Sequence, residues 1–182
     1  MSKVAIIGGG ASGLFCAIEI KKHNPDIDVV VLERLERVGK KILSTGNGKC
    51  NFSNSLVSKD KYNNPQFVEP FLNEYSKDKL YQEFLNLGLL YREDKEGRMY
   101  PYSESANSFL DVLRNNLKKY KIKEKCNYEV TKISYSDETF YIENTRREVE
   151  EADFVVVATG GKAYPVLGSN GSGYSLLRPW KV

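Results

Sequence analysis

No stretch of this 182-residue chain approaches the roughly 20 consecutive apolar residues that a bilayer-spanning helix requires, so a membrane protein is not expected. Met1-Ser2-Lys3 leads directly into the apolar run Val4–Ile7, with neither the basic nor the apolar region of a signal peptide. The cytoplasm is therefore the expected location. Cysteine is scarce. Cys16, Cys50 and Cys126 are odd in number and show no C-x-x-C spacing, which argues against a disulfide framework or a zinc site, and no metal is expected. His23 is the only histidine, so no Ser-His-Asp constellation can be assembled; it ends a predicted helix, where an imidazolium suits the helix dipole. Positive charge is also thin. The net +3 is too small to point to nucleic acid, and the densest basic stretch, 118–125, includes Glu124 and is expected to close a helix. Internal repeats and low-complexity linkers are lacking, and nothing fixes an oligomeric state.

What the chain does have is glycine in one informative arrangement. Gly8, Gly10 and Gly13 stand between the apolar run Val4–Ile7 and a helical pattern over 11–22. Glu33 follows twenty residues after Gly13, at the end of Val29-Val30-Val31-Leu32. Strand, glycine-rich turn, helix, strand and carboxylate in this order describe a dinucleotide-binding βαβ unit. The first glycine permits the tight turn, the second lets the backbone approach a pyrophosphate, and the third lets the helix pack on the strand. The unpaired N–H groups and the dipole at the helix start favour phosphate, and Glu33 can accept hydrogen bonds from ribose hydroxyls.

From Val38 to Asn54 periodicity fades and Gly, Ser, Asn and Lys accumulate; a loop of this length in a compact domain is usually functional. Asn64-Pro65 predicts a helix start, and Ser76 or Asp78 caps a second helix that Gly88 ends. The face Phe67, Val68, Phe71, Leu72 and Tyr75, and its successor Leu80, Tyr81, Phe84 and Leu85, are expected in the core. Leu89–Arg92 and Arg98–Tyr102 read as extended around Lys95-Glu96-Gly97, and a helix begins at Ser105. Tyr128–Tyr135, Thr139–Ile142 and Arg146–Val149 read as an antiparallel meander, and Asp153–Ala158 as a continuous apolar strand running into Thr159-Gly160-Gly161. The expected fold is α/β: a Rossmann-like FAD-binding fold with a parallel sheet, inserted helices and a three-stranded β-meander.

Three segments can meet on one nucleotide: the glycine turn with Glu33, the loop 37–51, and Ala158-Thr159-Gly160-Gly161. Each follows the carboxyl end of a predicted strand, where ligands of open α/β sheets bind. The run Gly39-Lys40-Lys41 to Ser44-Thr45-Gly46-Asn47-Gly48-Lys49-Cys50-Asn51 resembles the signature of the BaiN-like (aminoacetone oxidase-like, YhiN-type) bacterial FAD-dependent oxidoreductases. Gly97-Arg98-Met99-Tyr100-Pro101, the segment Ala158 to Pro165, and Gly168-Ser169-Asn170-Gly171-Ser172-Gly173-Tyr174 are similar to that family as well.

That resemblance covers residues 3 to about 174 and implies non-covalent FAD, a small organic substrate, and NAD(P)H as a candidate electron donor. It implies that Gly8, Gly10, Ala11, Ser12 and Gly13 hold the pyrophosphate and Glu33 the adenosine ribose, with Arg34 and Lys40 flanking the adenosine end. Gly46, Asn47, Cys50 and Asn51 would approach the ribityl chain or flavin, Val130 would border the adenine, and Ala158, Thr159, Gly160 and Gly161 would complete the site. A second glycine-bearing loop soon after Glu33 independently favours a long cofactor, FAD rather than NAD, held along its length. No catalytic residue is assigned. Cys50 invites a redox role, with Lys49 beside it to lower its pKa, although a packed thiol is the plainer reading. Tyr100, Tyr102 and Tyr164 sit by prolines and could approach a substrate, or could simply pack.

By the same resemblance, residues 1–174 form an incomplete FAD-binding domain, with a helical insertion at about 62–120 and the meander at about 126–150. Family members are about twice as long, and 175–182 is an atypical, truncated terminus. The alternatives are a non-catalytic flavin- or nucleotide-binding fragment and a flavin-dependent RNA-modifying enzyme, the latter disfavoured by the sparse basic patches.

Overall fold

The computed structural model describes residues 2–162 and 169–180. Two compact units divide the chain: Met1–Lys41 with Leu113–Val182, and Ile42–Val112. Among the described residues, no helix is long and apolar enough to cross a membrane.

The first unit opens with β1 (Lys3–Ile7), α1 (Ala11–His23) and β2 (Asp28–Leu32). β1 and β2 are apolar on both faces, as parallel strands covered on both sides must be. α1 starts without a side-chain cap at Gly10 and closes on Lys21 and Lys22, whose charge suits the carbonyl end of its dipole, with His23 as its last residue.

The second unit holds β3 (Ser53–Asn54), α2 (Pro65–Glu74), α3 (Lys77–Asn86), β4 (Tyr91–Glu93) and β5 (Arg98–Pro101), with the sheet order β3-β5-β4, all antiparallel. Asn64 caps α2 by accepting from Phe67 N–H at 3.2 Å, and Ser76 caps α3 by accepting from Lys79 N–H at 3.4 Å. Its core is aromatic: Phe52 packs against Phe84, Tyr91 and Phe109 with ring centroids 5.1, 6.0 and 5.6 Å apart. Tyr81 and Phe84 of α3 are buried as expected, but α2 departs from its reading. Phe67, Phe71 and Tyr75 are exposed, and α2 buries no residue at all. A helical apolar stripe specifies a face, but not what covers it.

The unit boundary falls inside α4 (Ala106–Lys119). The first unit then resumes with β6 (Lys123–Lys125), β7 (Val130–Ser136), β8 (Thr139–Asn144), β9 (Val149–Ala152), β10 (Phe154–Val157) and α5 (Ser172–Leu177). A four-stranded parallel sheet runs β10-β1-β2-β6. The basic stretch is thus not one helix end. The helix stops at Lys119, Lys121 turns the chain at φ +55°, Ile122 is buried, and Lys123–Lys125 becomes the edge strand beside β2. Lysines on an edge strand blunt it against further pairing.

The meander orders as β7-β8-β9. Its third strand lies three residues later than expected because Asn144 closes the preceding turn. The Asn144 side-chain oxygen accepts from Arg146 and Glu148 N–H, each at 2.9 Å, so residues 146–148 serve the turn rather than a strand. One face of the parallel sheet (Ala5, Ile7, Val30, Leu32) packs on Tyr128, Val130, Ile133, Ile142 and Ala152 of the meander side and on Leu176 of α5. The other face receives α1, whose Leu14, Ala17 and Ile18 are fully buried. Each large aliphatic buried this way contributes about 1.5–3 kcal/mol.

One carboxylate ties the meander to that sheet. Glu150 of β9, with a side chain 5% exposed, is paired with Lys3 of β1 and Lys125 of β6. Burial pushes its pKa up, but the hydrogen bonds from Lys125 and Lys3 outweigh it and hold the carboxyl below the ordinary 4.5. A carboxyl depressed in the folded state stabilises fully above its unfolded pKa, and that contribution is lost as pH falls through the lower folded value. Glu150→Ala is therefore expected to lower stability at pH 7 by about 1–3 kcal/mol, and to narrow the gap to wild type as pH drops below about 4.5. Urea unfolding midpoints measured from pH 7 to 3 check this; a gap independent of pH would contradict it.

Candidate functional site

A cleft opens in the first unit where β1, β2 and β10 end. Its floor is backbone drawn together by hydrogen bonds across the strand ends. Gly8 N–H donates to Leu32 O and Ala158 N–H to Ile7 O, both at 2.8 Å, and Gly39 N–H donates to Gly9 O at 2.7 Å. This closeness demands glycine. Gly8 has φ +112°, and a Cβ there would stand 2.5 Å from the Ala158 carbonyl oxygen. At Gly13 a Cβ would overlap the Gly8 carbonyl oxygen, so the helix can lie on the strand only without one. Gly10 is different: nothing lies within 4 Å of its would-be Cβ, which leaves open space beside the turn.

Glu33 is fixed from four directions. Its Oε2 accepts from Gly9 N–H at 2.7 Å and its Oε1 from Leu35 N–H at 2.9 Å. Its own N–H donates to Lys125 O at 2.9 Å, and its carbonyl accepts from Tyr128 N–H at 2.8 Å. Both carboxylate oxygens thus work within the chain as well as lining the cleft. The remaining lone pairs are available to further donors.

Of the residues expected at the site, Gly8, Gly10, Glu33, Arg34, Lys40, Val130, Ala158 and Thr159 line this one cleft. Ala11 and Ser12 occupy the exposed first turn of α1, and Gly13 lies buried beneath it. Gly160, at φ +79°, and Gly161 follow Thr159 beyond the strand end. Lys40 is exposed and pairs with Glu36 at 2.8 Å.

Leu35, Tyr128, Glu129 and Leu176, which sequence reasoning did not place at the site, also line the cleft, as do Gly9, Lys41 and Ser172, which lie in the glycine turn, the 37–51 loop and the 168–174 segment without having been singled out. Gly9 carried a signal, standing between the motif glycines; a Cβ there would meet Val38 Cγ1 at 2.7 Å and Glu33 Oε2 at 3.0 Å. Tyr128 carried none, because it arrives from a distant segment. The Tyr128 hydroxyl donates to the Ile142 and Glu148 carbonyls, each at 3.0 Å. Its pKa is pushed up to about 12, by burial first and then by the Glu150 and Glu148 carboxylates. Beside Val130 a register shift leaves Thr131 as the extra residue of a bulge, a device that re-aims a strand at a site edge.

Gly46, Asn47, Cys50 and Asn51 belong to the second unit. There Gly46, Asn47, Gly48 and Cys50 all take positive φ (54°, 52°, 82° and 58°), and Cys50 N–H donates to Thr45 O at 3.0 Å. The Asn51 amide, turned so that its nitrogen faces two acceptors, donates to Ser53 O at 2.7 Å and Met99 O at 3.2 Å. Lys49 does not activate Cys50: it pairs with Glu104 at 2.8 Å, while burial pushes the Cys50 thiol above its ordinary 9.0. A buried thiol of raised pKa is a poor nucleophile. Tyr102 is 70% exposed, and Tyr100 stands on β5; Tyr164 and the segment 163–168 lie outside the described residues.

The cleft fits a dinucleotide. It combines glycines at 8 and 13 where no Cβ fits, open space at Gly10, a start of α1 that no side chain caps among the described residues, and a buried carboxylate at the end of β2. A family-wide sequence profile described as the HI0933-like protein Rossmann domain matches residues 2–182. The chain belongs to that family.

Among the curated relatives that the chain matches, the 3-dehydro-bile acid delta(4,6)-reductase of Clostridium scindens is 38% identical over 180 residues, covering 98% of this chain and 44% of the relative. The ribosomal RNA dihydrouridine synthase of Haemophilus influenzae is 31% identical over 186 residues, covering 100% of this chain and 46% of the relative. The chain thus spans less than half the length of either. The open conformation of a flavocytochrome c3 fumarate reductase shares the fold at a TM-score of 0.65 and 17% identity, over 98% of this chain and 40% of that one.

Proposed function

We propose that this chain is the FAD-binding portion of an FAD-dependent oxidoreductase that transfers electrons or hydride to or from a small organic substrate, with NAD(P)H as electron donor. The single observation that carries the reading is the cleft at the ends of β1, β2 and β10, with its glycine cradle and the Glu33 carboxylate. FAD, when bound, supplies the redox chemistry through its isoalloxazine ring, so the protein itself need not provide a strong acid.

The chain's own residues hold the cofactor. The turn from Gly8 through Gly10 and the first-turn N–H groups of Ala11, Ser12 and Gly13 receive the pyrophosphate. Glu33, already oriented by Gly9 and Leu35, accepts from the adenosine ribose, with Arg34 and Lys40 at that end. The backbone at Val130 borders the adenine, and Ala158 to Gly161 close the opposite wall. Gly46, Asn47, Cys50 and Asn51 are assigned to the ribityl–flavin end by resemblance. Reduction is the favoured direction, because one relative is named a reductase and the other makes the dihydro form of a nucleoside. The small-molecule reading is preferred to an RNA substrate because the relative named for a bile acid is the more similar of the two. No membrane association is proposed, and the cytoplasm is the proposed location.

The purified chain mixed with FAD is expected to keep a flavin absorption band through gel filtration, and anaerobic NADH or NADPH to bleach it. Failure to retain FAD would overturn the cofactor assignment. Retention without bleaching would favour a binding module over a reductase.

A further inference from the structure

We propose that Lys41 is the side chain that neutralises a phosphate of the bound dinucleotide, at the junction of the β10 end with the glycine turn. This rests on reading the cleft as a dinucleotide site. Lys41 lines the cleft, is half-buried, and has its ammonium 3.5 Å from the Thr159 carbonyl oxygen. A Cβ at Gly160 would lie 3.5 Å from Lys41 Nζ, so the ammonium rests against bare backbone at that point. Just before Thr159, Ala158 abuts Gly8, so the same strand end carries both the ammonium and the turn.

Among the described residues, no carboxylate pairs with Lys41, whereas its neighbour Lys40 pairs with Glu36; of the lysines that bond only to backbone carbonyls, Lys41 is the one that lines the cleft. A half-buried cation held by a single carbonyl at the limit of hydrogen-bond length is poorly compensated. An anion arriving in the cleft supplies the missing charge. Lys40, the neighbour that sequence motifs single out, differs on both counts, being exposed and already neutralised by Glu36.

The competing role is structural: Lys41 merely tethers the 37–41 segment to the end of β10. Phosphate-bearing and phosphate-free probes separate the two. Calorimetric titration of the full chain with ADP and with adenosine should show that Lys41→Met weakens ADP about 10- to 100-fold and leaves adenosine unchanged. Lys41→Arg should retain most of the ADP affinity, and added salt should weaken ADP more for wild type than for Lys41→Met. Unchanged ADP affinity in Lys41→Met, or equal losses for ADP and adenosine, would overturn the proposal. So would a Lys41→Met chain too unstable to titrate together with a Lys41→Arg chain that has lost ADP. If wild type binds neither FAD nor ADP, the cofactor reading fails and this inference with it. If wild type binds both and only the variant contrast is missing, this inference fails alone.

Discussion

Gly13→Ala is expected to abolish the cleft, although alanine is the better helix former. Propensity alone would favour alanine by about 1 kcal/mol. Against that, the new Cβ overlaps the Gly8 carbonyl oxygen, and its next neighbours are Gly8 C at 3.2 Å and Ile6 Cγ2 at 3.3 Å. The obstacle is backbone, which cannot rotate aside, and overpacking of this kind costs about 3 kcal/mol or more. To relieve it α1 must lift from β1, uncovering Leu14 and Ile18 and pulling the helix start away from the turn. The expected result is a large drop in the urea midpoint and no retained flavin. Gly10→Ala is the matched control. Its Cβ meets nothing, and Gly10 has φ −82°, ψ −176°, which alanine adopts readily. The ligand-free chain should therefore unfold within about 0.5 kcal/mol of wild type, while FAD affinity falls because the methyl occupies the approach to the turn. Equal stability losses in the two variants would refute this account.

Glu33→Ala carries the second large effect, and it combines stability with binding. The substitution removes the acceptor from Gly9 N–H at 2.7 Å and from Leu35 N–H at 2.9 Å, in a residue only 9% exposed. Hydrogen bonds to a charged group are worth about 1.5–3 kcal/mol each, so about 2–4 kcal/mol should be lost after partial rehydration. Glu33→Gln keeps one acceptor but turns an amide donor toward the other N–H, and should fall between wild type and alanine. Each variant should also lose most of the FAD-dependent rise in Tm, because the turn shaped by the Gly9 contact is the one proposed to receive the cofactor. Stability losses with an undiminished FAD shift would leave Glu33 a purely structural residue.

These two residues also show what the sequence could and could not convey. Gly13 and Glu33 were legible from spacing alone, since a βαβ unit is local and its glycines answer steric demands within one turn of chain. The expectation for Glu33 was nonetheless narrower than the finding. Spacing suggests a carboxylate facing a ribose, while the fold also engages both of its oxygens with Gly9 and Leu35. The aromatic face of α2 was legible as a stripe, but its exposure was not, because periodicity says which residues share a side and nothing about what lies opposite. Lys123–Lys125 was misread for a related reason. Three charged residues have no apolar period, and only pairing with β2 makes them a strand.

By itself the sequence determined the strand–glycine turn–helix–strand unit, the helix start at Asn64, and the placing of a carboxylate, Glu33, just after the second strand. All of these depend on residues close in the chain. Tertiary structure alone decided that β6 completes the parallel sheet, that Tyr128 and Ser172 reach the cleft, that Glu150 is buried between two lysines, and that Lys41 rather than Lys40 lacks a carboxylate. Apart from the Lys40–Glu36 pair, which is local, each of these depends on partners tens of residues away, and no local pattern records which side chains a fold will bring together.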